Sequence, residues 1–462
     1  MPQLQLSFAI LISRLIRKYI LFRKLGGGSA APGLYALKVD PNLISKLCRN
    51  FKKGVILISG TNGKTTTSRM VSTILETAGF KTIHNRTGSN LTRGIASVLL
   101  ENASLSGKFE ADFAIFETDE AVLPNAIKQT GPKFVLLTNL FRDQLDRFGE
   151  VDKIKRIWQD ALLELDREST VILNADDPAI AHLGHRLISK VFYFGLEDPQ
   201  VGEKELFKFA DTKYCGFCAN PLDWEIVYIS HLGKFKCPNC KNKRPEPQIS
   251  ATGINLLGIG GSNFKLSIYD KKQRINLKLP GLYNVYNGLA AAALANSINI
   301  DTNTTKAGLE KFKAVFGRVE QLFVNNKSIW MFLIKNPTGF NEVIRTIFES
   351  GKNNNLLIAI NDKIADGKDV SWLWDVDFEK LKGSFNNLFV SGIRALDMAL
   401  RLKYANVKNP NLVSENFIQT FEEAVKSTKE GEILFVLPTY TAMLEIRDYL
   451  TKKGIVQHFS KD

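Results

Sequence analysis

Among the 462 residues there is no uncharged apolar run near the roughly 20 that a bilayer-spanning helix requires. The apolar stretch Phe8 to Ile12 runs at once into Arg14, Arg17, Lys18, Arg23 and Lys24. Its basic residues follow rather than precede it, so a secretory leader is not expected either. Cysteine is scarce: of five, four fall in two Cys-x-x-Cys pairs and Cys48 stands alone, which argues against a disulfide framework and for a metal site in a reducing compartment. Histidine is as scarce. His84, His182, His185, His231 and His458 are scattered and leave no evident Cys–His pair for nucleophilic catalysis. No internal repeat is visible. Positive charge, by contrast, is abundant, with 61 Lys and Arg against 47 Asp and Glu and a net charge of +14. Such an excess fits an acidic partner, whether nucleic acid, anionic lipid or a phosphorylated substrate, and fits a merely solvated lysine-rich surface as well.

A hydrophobic content of 44% is ordinary for a folded chain, and the length exceeds one ordinary core, so two or three domains are expected. Residues 1–50 read as a basic amphipathic helix and linker. Arg14, Arg17, Lys18 and Lys24 share one side of the helix, and Phe8, Leu11, Ile12, Leu15, Ile16 and Tyr19 fall mostly on the other. Such a helix lies on an anionic membrane or packs on its own protein. Gly26 to Gly33 is a flexible break.

Beyond it the rhythm is α/β. Strands fit Val55 to Ser59, Phe113 to Phe116, Phe134 to Thr138 and Thr170 to Leu173, and a helix fits Thr65 to Ala78 with Gly79 as its stop. Strands alternating with helices imply a mostly parallel sheet covered on both faces. From about Leu206 to Pro247 the rhythm stops and cysteines, aromatics and lysines crowd together, as in an inserted module. Strand-like alternation returns at Asn263 to Leu279, followed by a helix at Tyr286 to Ser297. A second α/β region, residues 317–462, carries strands at Leu356 to Ile360, Leu388 to Val390 and Ile433 to Leu437. The reading is therefore a central α/β ATPase domain over 51–316, with an insertion at about 206–247, and a Rossmann-like α/β domain after it.

The segment Ile58-Ser59-Gly60-Thr61-Asn62-Gly63-Lys64-Thr65-Thr66 sits between a strand and a helix, the context a phosphate loop requires. Glycines let the backbone approach phosphates, and amides at the helix start face the anion. Lys64 neutralises β- and γ-phosphate charge, and Thr65 or Thr66 offers a hydroxyl to Mg²⁺. Ile58 stands where the general Gly-x₄-Gly-Lys-[Ser/Thr] pattern has its first glycine. Two acidic clusters follow later strands, Phe116-Glu117-Thr118-Asp119-Glu120 and Thr138 to Gly149. Carboxylates at the C-terminal ends of such strands, near a phosphate loop, are where Mg²⁺ ligands belong.

With these residues in place the sequence resembles the Mur ligase superfamily. Gly60 to Thr65 is similar to that family's ATP loop, Asn139 to Asp146 to its Asn-x-x-x-Asp-His-x-Asp motif, and Asn174-Ala175-Asp176-Asp177-Pro178 to its Asn-Ala-Asp-Asp segment. Gly281 to Asn287 resembles its Gly-x-His-Asn-x-x-Asn motif, and Gly317-Arg318 the Gly-Arg before its C-terminal domain. The resemblance implies that Gly60, Thr61, Asn62, Gly63, Lys64, Thr65 and Thr66 hold ATP, that Asn284 and Asn287 contact adenine, that Arg318 reaches the phosphates, and that Thr65 and Glu117 bind magnesium. There are departures. Gln144 stands at the motif's metal-binding His and Tyr283 at the other His; Lys335-Asn336-Pro337 falls where amino-acid-adding relatives carry an acidic segment; and no UDP-sugar-binding domain fits the first 50 residues.

The short N-terminus, the four-cysteine insertion and Asp366-Gly367-Lys368-Asp369 narrow the resemblance to an amidating branch of that superfamily. For that branch it implies an acyl phosphate made with ATP on the D-glutamate α-carboxylate of lipid II, giving D-isoglutamine with ammonia from a GatD-like glutaminase partner. Asp369 then completes the partner's Cys–His pair, and the location is cytoplasmic, at the inner face of the membrane. The two cysteine pairs, Cys215-x-x-Cys218 and Cys237-x-x-Cys240, are separated by 18 residues, the spacing of a structural zinc ribbon. Ribbons also bind nucleic acid, and Lys234, Lys236, Lys241, Lys243 and Arg244 surround this one. No nucleic acid is expected here, but a zinc-ribbon nucleic-acid-binding ATPase is the competitor from another class, and an amino-acid-adding or folylpolyglutamate synthase-like ligase the competitor from the same class.

Overall fold

The computed structural model describes residues 2–23, 30–85, 90–142, 151–206, 210–313, 319–351 and 354–456. The first sheet is built from β1 (Gly54–Ser59), β2 (Thr82–His84), β3 (Phe113–Glu117), β4 (Phe134–Leu137), β5 (Thr170–Asn174) and β6 (Lys190–Leu196), extended by β9 (Ile249–Leu256), β10 (Ser262–Ile268) and β11 (Lys271–Leu277). Their order is β11-β10-β9-β6-β5-β4-β1-β3-β2. The strands β1 to β6 and β9 are parallel, and β9-β10-β11 is an antiparallel meander. The expected strand 263–279 is thus two strands, reversed between Ile268 and Lys271.

Parallel strands covered on both faces need apolar side chains on both. In β1, Ile56 and Ile58 enter one core, with Met70, Val71 and Ile74 of the phosphate-loop helix. Val55 and Leu57 enter the opposite core, with Ile95, Leu99 and Trp158. Strand β1 lies between β4 and β3, so the loop leaving its C-terminal end opens into the crevice where successive connections depart to opposite sides.

Helix α1 (Pro2–Phe22) packs against α2 (Ala31–Val39) and the helix Thr92–Asn102. Of the two environments expected for it, packing on its own protein is observed, but on a different face: Leu6, Ala9, Ile10 and Ser13 are buried, whereas Phe8, Leu11, Leu15 and Tyr19 are exposed. Ala9 and Ser13 are small enough to bring the helix backbones close, which the bulkier face does not allow. Lys24 and the first part of the expected break lie in 24–29, outside the described residues; its second part is not a break, since Ala31, Pro32 and Gly33 already belong to α2, where Pro32 suits the first turn.

The insertion carries a two-stranded hairpin, β7 (Asp223–Ile229) and β8 (Leu232–Lys236). The second large sheet comprises β12 (Val319–Val324), β13 (Lys327–Phe332), β14 (Asn354–Ala359), β15 (Phe385–Ser391), β16 (Leu412–Ser414) and β17 (Ile433–Pro438), in the order β12-β13-β17-β14-β15-β16. Only the β12–β13 pair in it is antiparallel. No described helix is long and apolar enough to cross a membrane.

Candidate nucleotide and metal sites

The loop after β1 opens into the crevice. Gly60 and Gly63 both have left-handed φ, +138° and +87°. A side chain at either position is blocked as well as strained. A Cβ on Gly60 would sit 2.1 Å from Thr138 Oγ1, and one on Gly63 the same distance from Asn287 Oδ1. The helix Lys64–Thr77 starts at once, aiming its first amides along the loop.

Lys64 is buried and folded back: its Nζ donates to Gly60 O at 2.5 Å and Thr61 O at 3.3 Å, and pairs with Glu120 at 3.3 Å. Beside it, Thr65 Oγ1 donates to Glu117 Oε1 at 2.9 Å, and Asn90 Nδ2 donates to the same oxygen at 3.0 Å. A threonine hydroxyl and a buried carboxylate meeting at the head of a glycine loop form an arrangement able to hold a hard cation. Asn62 takes its backbone bond from the other strand end: Asn62 N donates to Asn139 Oδ1 at 2.8 Å.

The helix Leu282–Ser297 begins four residues before the expected Tyr286, directly after Gly281 with φ +84°. Asn284 and Asn287 therefore lie on its first turns. Asn287 Nδ2 donates to Asn284 Oδ1 at 3.0 Å, and Thr67 Oγ1 of the phosphate-loop helix donates to Asn287 Oδ1 at 3.3 Å. Asn62, Gly63, Thr65, Thr66, Asn284 and Asn287 line one cavity. Its far wall comes from the second sheet and its helix: Val319, Thr338, Gly339 and Glu342. Across that boundary Asn336 Nδ2 donates to Asn62 Oδ1 at 2.9 Å.

The structure thus brings together Gly60 to Thr66, Glu117, Asn284 and Asn287. Arg318 and the acidic residues Asp143 and Asp146, with Gln144, lie outside the described residues. Sequence reading placed Glu120 in a candidate acidic cluster without pairing it with Lys64, gave Asn336 no role at this site, and missed Glu342. Asn336-Pro337 carried a usable signal, since Asn336 caps the helix Pro337–Glu349 and Pro337 occupies its first turn. Glu342 had none. Burial pushes its carboxyl up to about 7, and among the described residues no hydrogen bond satisfies its Oε2.

The Asn174 to Pro178 segment turns out to be a brace. Asp177 caps the helix Pro178–Leu183 and accepts Leu140 N at 2.8 Å, holding the strand end that supports Asn62. Asp176 is fully buried and accepts from Arg244 Nε at 2.6 Å, Tyr286 Oη at 2.7 Å and Leu196 N at 2.8 Å. Arg244 also donates to Glu197 at 2.7 Å. Two of the five basic residues around the ribbon are therefore neutralised within the fold, since Lys234 pairs with Glu197 too. That removes much of the charge a nucleic-acid surface needs.

In the insertion Cys215, Cys218, Cys237 and Cys240 place their sulfurs within 4.8 Å of one another. Two of the Sγ–Sγ distances are 3.4 and 3.5 Å, against about 3.8 Å for thiolates 2.3 Å from a tetrahedral zinc. Phe217 N and Asn242 Nδ2 point at Cys215 Sγ from 3.5 and 3.4 Å, donors that favour a thiolate. The set fits one structural zinc. Phe217 rests on His182 with ring centroids 4.4 Å apart, and His182 is held neutral, its pKa pushed down to about 4 chiefly by burial. Burial pushes the fifth thiol, Cys48, up to about 12, which makes it a poor nucleophile.

The loop after β14 sorts its acids. Asp362 pairs with Arg394 at 2.8 Å. Asp366 is buried and accepts Thr441 N at 2.7 Å. Asp369 is exposed, its oxygens accepting only locally from Ser371 N at 2.8 Å and Ser371 Oγ at 2.9 Å. Ile364 and Trp374, before and after it in the chain, are exposed, as are Ile393, Leu396, Leu400 and Tyr404 in and before the helix Ala395–Tyr404, and Trp374 meets Tyr404 edge-on at 5.4 Å.

Two family models match the chain: Mur ligase middle domain over residues 58–241 and MurT ligase C-terminal over residues 333–443. The chain is similar to the lipid II isoglutaminyl synthase (glutamine-hydrolyzing) subunit MurT of Streptococcus pneumoniae (strain ATCC BAA-255 / R6), at 31% identity over 95% of this chain and 96% of that one. It is similar to the corresponding subunit of Staphylococcus aureus (strain COL) at 30% identity, over 92% and 93%. In fold it is similar to a pseudomurein peptide ligase type C from Methanothermus fervidus, with a TM-score of 0.68 at 22% identity, covering 93% of this chain and 85% of that one.

Proposed function

The chain belongs to the MurT family of Mur ligases, and from that membership we propose that it is the ligase subunit of a lipid II isoglutaminyl synthase. Residues 51–316 form the ATP domain, interrupted by the zinc ribbon, and residues 317–462 the domain that meets a GatD-like glutaminase. The reaction takes place at the inner face of the cell membrane, where its lipid-borne substrate lies.

A carboxylate is a poor electrophile because its oxygen leaves badly. The D-glutamate α-carboxylate of the stem peptide attacks the γ-phosphorus of ATP; the bond to the β-phosphate oxygen breaks, giving an acyl phosphate and ADP. Ammonia then adds to the acyl carbon and phosphate leaves, with one proton lost from nitrogen. Lys64 exchanges Glu120 for the nucleotide phosphates, Thr65 and Glu117 hold Mg²⁺, and Asn284 and Asn287 orient adenine. Magnesium supplies charge neutralisation on the β- and γ-oxygens. Arg318 is assigned to the phosphates by the family resemblance alone.

The observation that carries this reading is the cavity itself. It is walled by the phosphate loop on one side and by the helix Pro337–Glu349 on the other, so the acyl phosphate forms where two domains meet. Ammonia must reach it unprotonated, and Cys48 is unfit to make it. The exposed apolar residues Trp374, Leu396, Leu400 and Tyr404 support docking of a second chain on this domain, with the exposed Asp369 lent as the carboxylate that orients the partner's Cys–His pair.

The test is turnover of lipid II with ATP and the glutaminase partner, using glutamine, ammonium salt or an amino acid as nitrogen donor. Amidation with the first two and no product with the third is expected. A new peptide bond to the amino acid would transfer the chain to the amino-acid-adding ligases, and ATP hydrolysis stimulated only by polynucleotide to the zinc-ribbon ATPases.

A further inference from the structure

Helix α1 has two apolar faces, and the fold uses one. Leu6, Ala9, Ile10 and Ser13 are buried against neighbouring helices. The rotation of the helix about its axis is fixed from both sides. Gln5 Nε2 donates to Val39 O at 2.7 Å on one flank. On the other, Ser7 Oγ donates to Leu105 O at 2.9 Å, Arg14 Nη2 donates to Ala103 O at 2.7 Å, and Arg17 pairs with Glu101. Held this way, Leu4, Phe8, Leu11, Leu15, Tyr19 and Phe22 project outward, each between 45% and 84% exposed.

These six recur every three or four residues, so they occupy roughly a quarter of the helix circumference and run for about 27 Å. Charge on the helix itself has a single sign. The helix contains no Asp or Glu, and Arg14, Arg17, Lys18 and Arg23 are all exposed. The Arg23 guanidinium sits over the Tyr19 ring, 5.8 Å from its centre, joining the cationic and apolar surfaces.

We propose that α1 lies flat on an anionic lipid surface, with the six apolar side chains in the acyl boundary and Lys18 and Arg23 among the headgroup phosphates. An apolar stripe edged only by cations matches such a surface in both polarity and sign. A second copy of the chain matches it poorly, because two-fold pairing of this stripe would bring cation against cation. The rest of the fold hangs from α1 through α2 and the helix Thr92–Asn102, so binding would seat the whole molecule in one orientation. The inference adds to the function proposed above the surface on which it is exercised; the geometry of the helix stands without that function.

The experiment is co-sedimentation of the full chain, with its glutaminase partner, with vesicles of phosphatidylcholine alone or mixed with phosphatidylglycerol. Wild type should bind the mixed vesicles, and binding should weaken as salt is raised. Leu11→Glu with Leu15→Glu should lower the bound fraction about tenfold, and Lys18→Glu with Arg23→Glu should abolish the preference for the anionic lipid. All four positions are exposed, so circular dichroism and basal ATP hydrolysis should not change. Equal sedimentation of wild type and both variants would overturn the inference. So would an absence of wild-type binding, or a dimer or partner complex that dissociates when Leu11 is charged. Amidation of detergent-solubilised lipid II is scored separately: its failure would sink the enzymatic reading and leave vesicle binding untouched.

Discussion

Two loops of this molecule begin alike and end in opposite ways. Each follows a central parallel strand, β3 or β14, and each carries several carboxylates. In the first, Glu117 and Glu120 turn inward and are taken up by Thr65 and Lys64 of the phosphate loop. In the second, Asp362 and Asp366 are consumed by Arg394 and Thr441, and Asp369 is left facing solvent. The lesson is that acid content at a strand end says little about use. What separates the proposed nucleotide site from the proposed docking site is which carboxylates the fold has already paired.

That contrast breaks if the inward acids are dispensable or the outward one is catalytic for both steps. The largest effect is expected from Lys64→Ala. It should lower ATP turnover by about 1000-fold or more with either nitrogen source, with circular dichroism unchanged. Turnover near wild type at saturating ATP would remove Lys64 from the site. Asp369→Asn should be nearly as severe on one route only. Glutamine-dependent amidation should fall by about 1000-fold, ammonium-driven amidation should stay within about twofold, and the complex with the glutaminase should still form on gel filtration. Equal loss on both routes would move Asp369 to the ligase site, and loss on neither would make it a surface acid.

Two smaller effects sharpen the comparison by perturbing groups that neither loop contains. Metal analysis should find one zinc per chain. Cys237→Ser should release it and lower the melting temperature, with the residual activity of the folded fraction close to normal. Absence of zinc in freshly purified, unchelated protein would refute the assignment. The last concerns Glu342, whose carboxyl is raised by burial from 4.5 to about 7. Between those two values the folded chain retains a proton the unfolded chain has lost. Stability should therefore fall as pH rises through that window, by roughly 3 kcal/mol at most, and level off above it. Glu342→Gln should flatten the decline in urea titrations run without nucleotide between pH 4.5 and 8; an unchanged slope would deny the shift.

The elements that the sequence disclosed are those with a local signature. The phosphate loop lies within nine consecutive residues, the four cysteines within two short knuckles, and the parallel strands show as apolar runs of their own. What stayed hidden joins distant residues. Asn336 meets Asn62 across 274 positions, and Arg244 meets Asp176 across 68. Each is an ordinary polar residue until the chain has folded. The Asn-Ala-Asp-Asp segment was recognisable, yet only the contacts reveal that its acids brace Leu140 and Arg244. Helix α1 failed for another reason. Its sequence offers apolar residues on both faces, and periodicity alone does not say which the protein covers; the small side chains of Ala9 and Ser13 decide it.

The posture of Lys64 bears on how the nucleotide arrives. Its ammonium group rests against Glu120 and two carbonyls of its own loop, so the site behaves as an ion exchanger already loaded with an internal anion. On the function proposed above, an incoming triphosphate would displace a carboxylate rather than a hydration shell. The swap would replace one anion by a more highly charged one beside a buried lysine, where salt screens poorly. Dissolved electrolyte therefore has little leverage over nucleotide capture, in contrast to its leverage over any surface the cationic exterior of this protein meets.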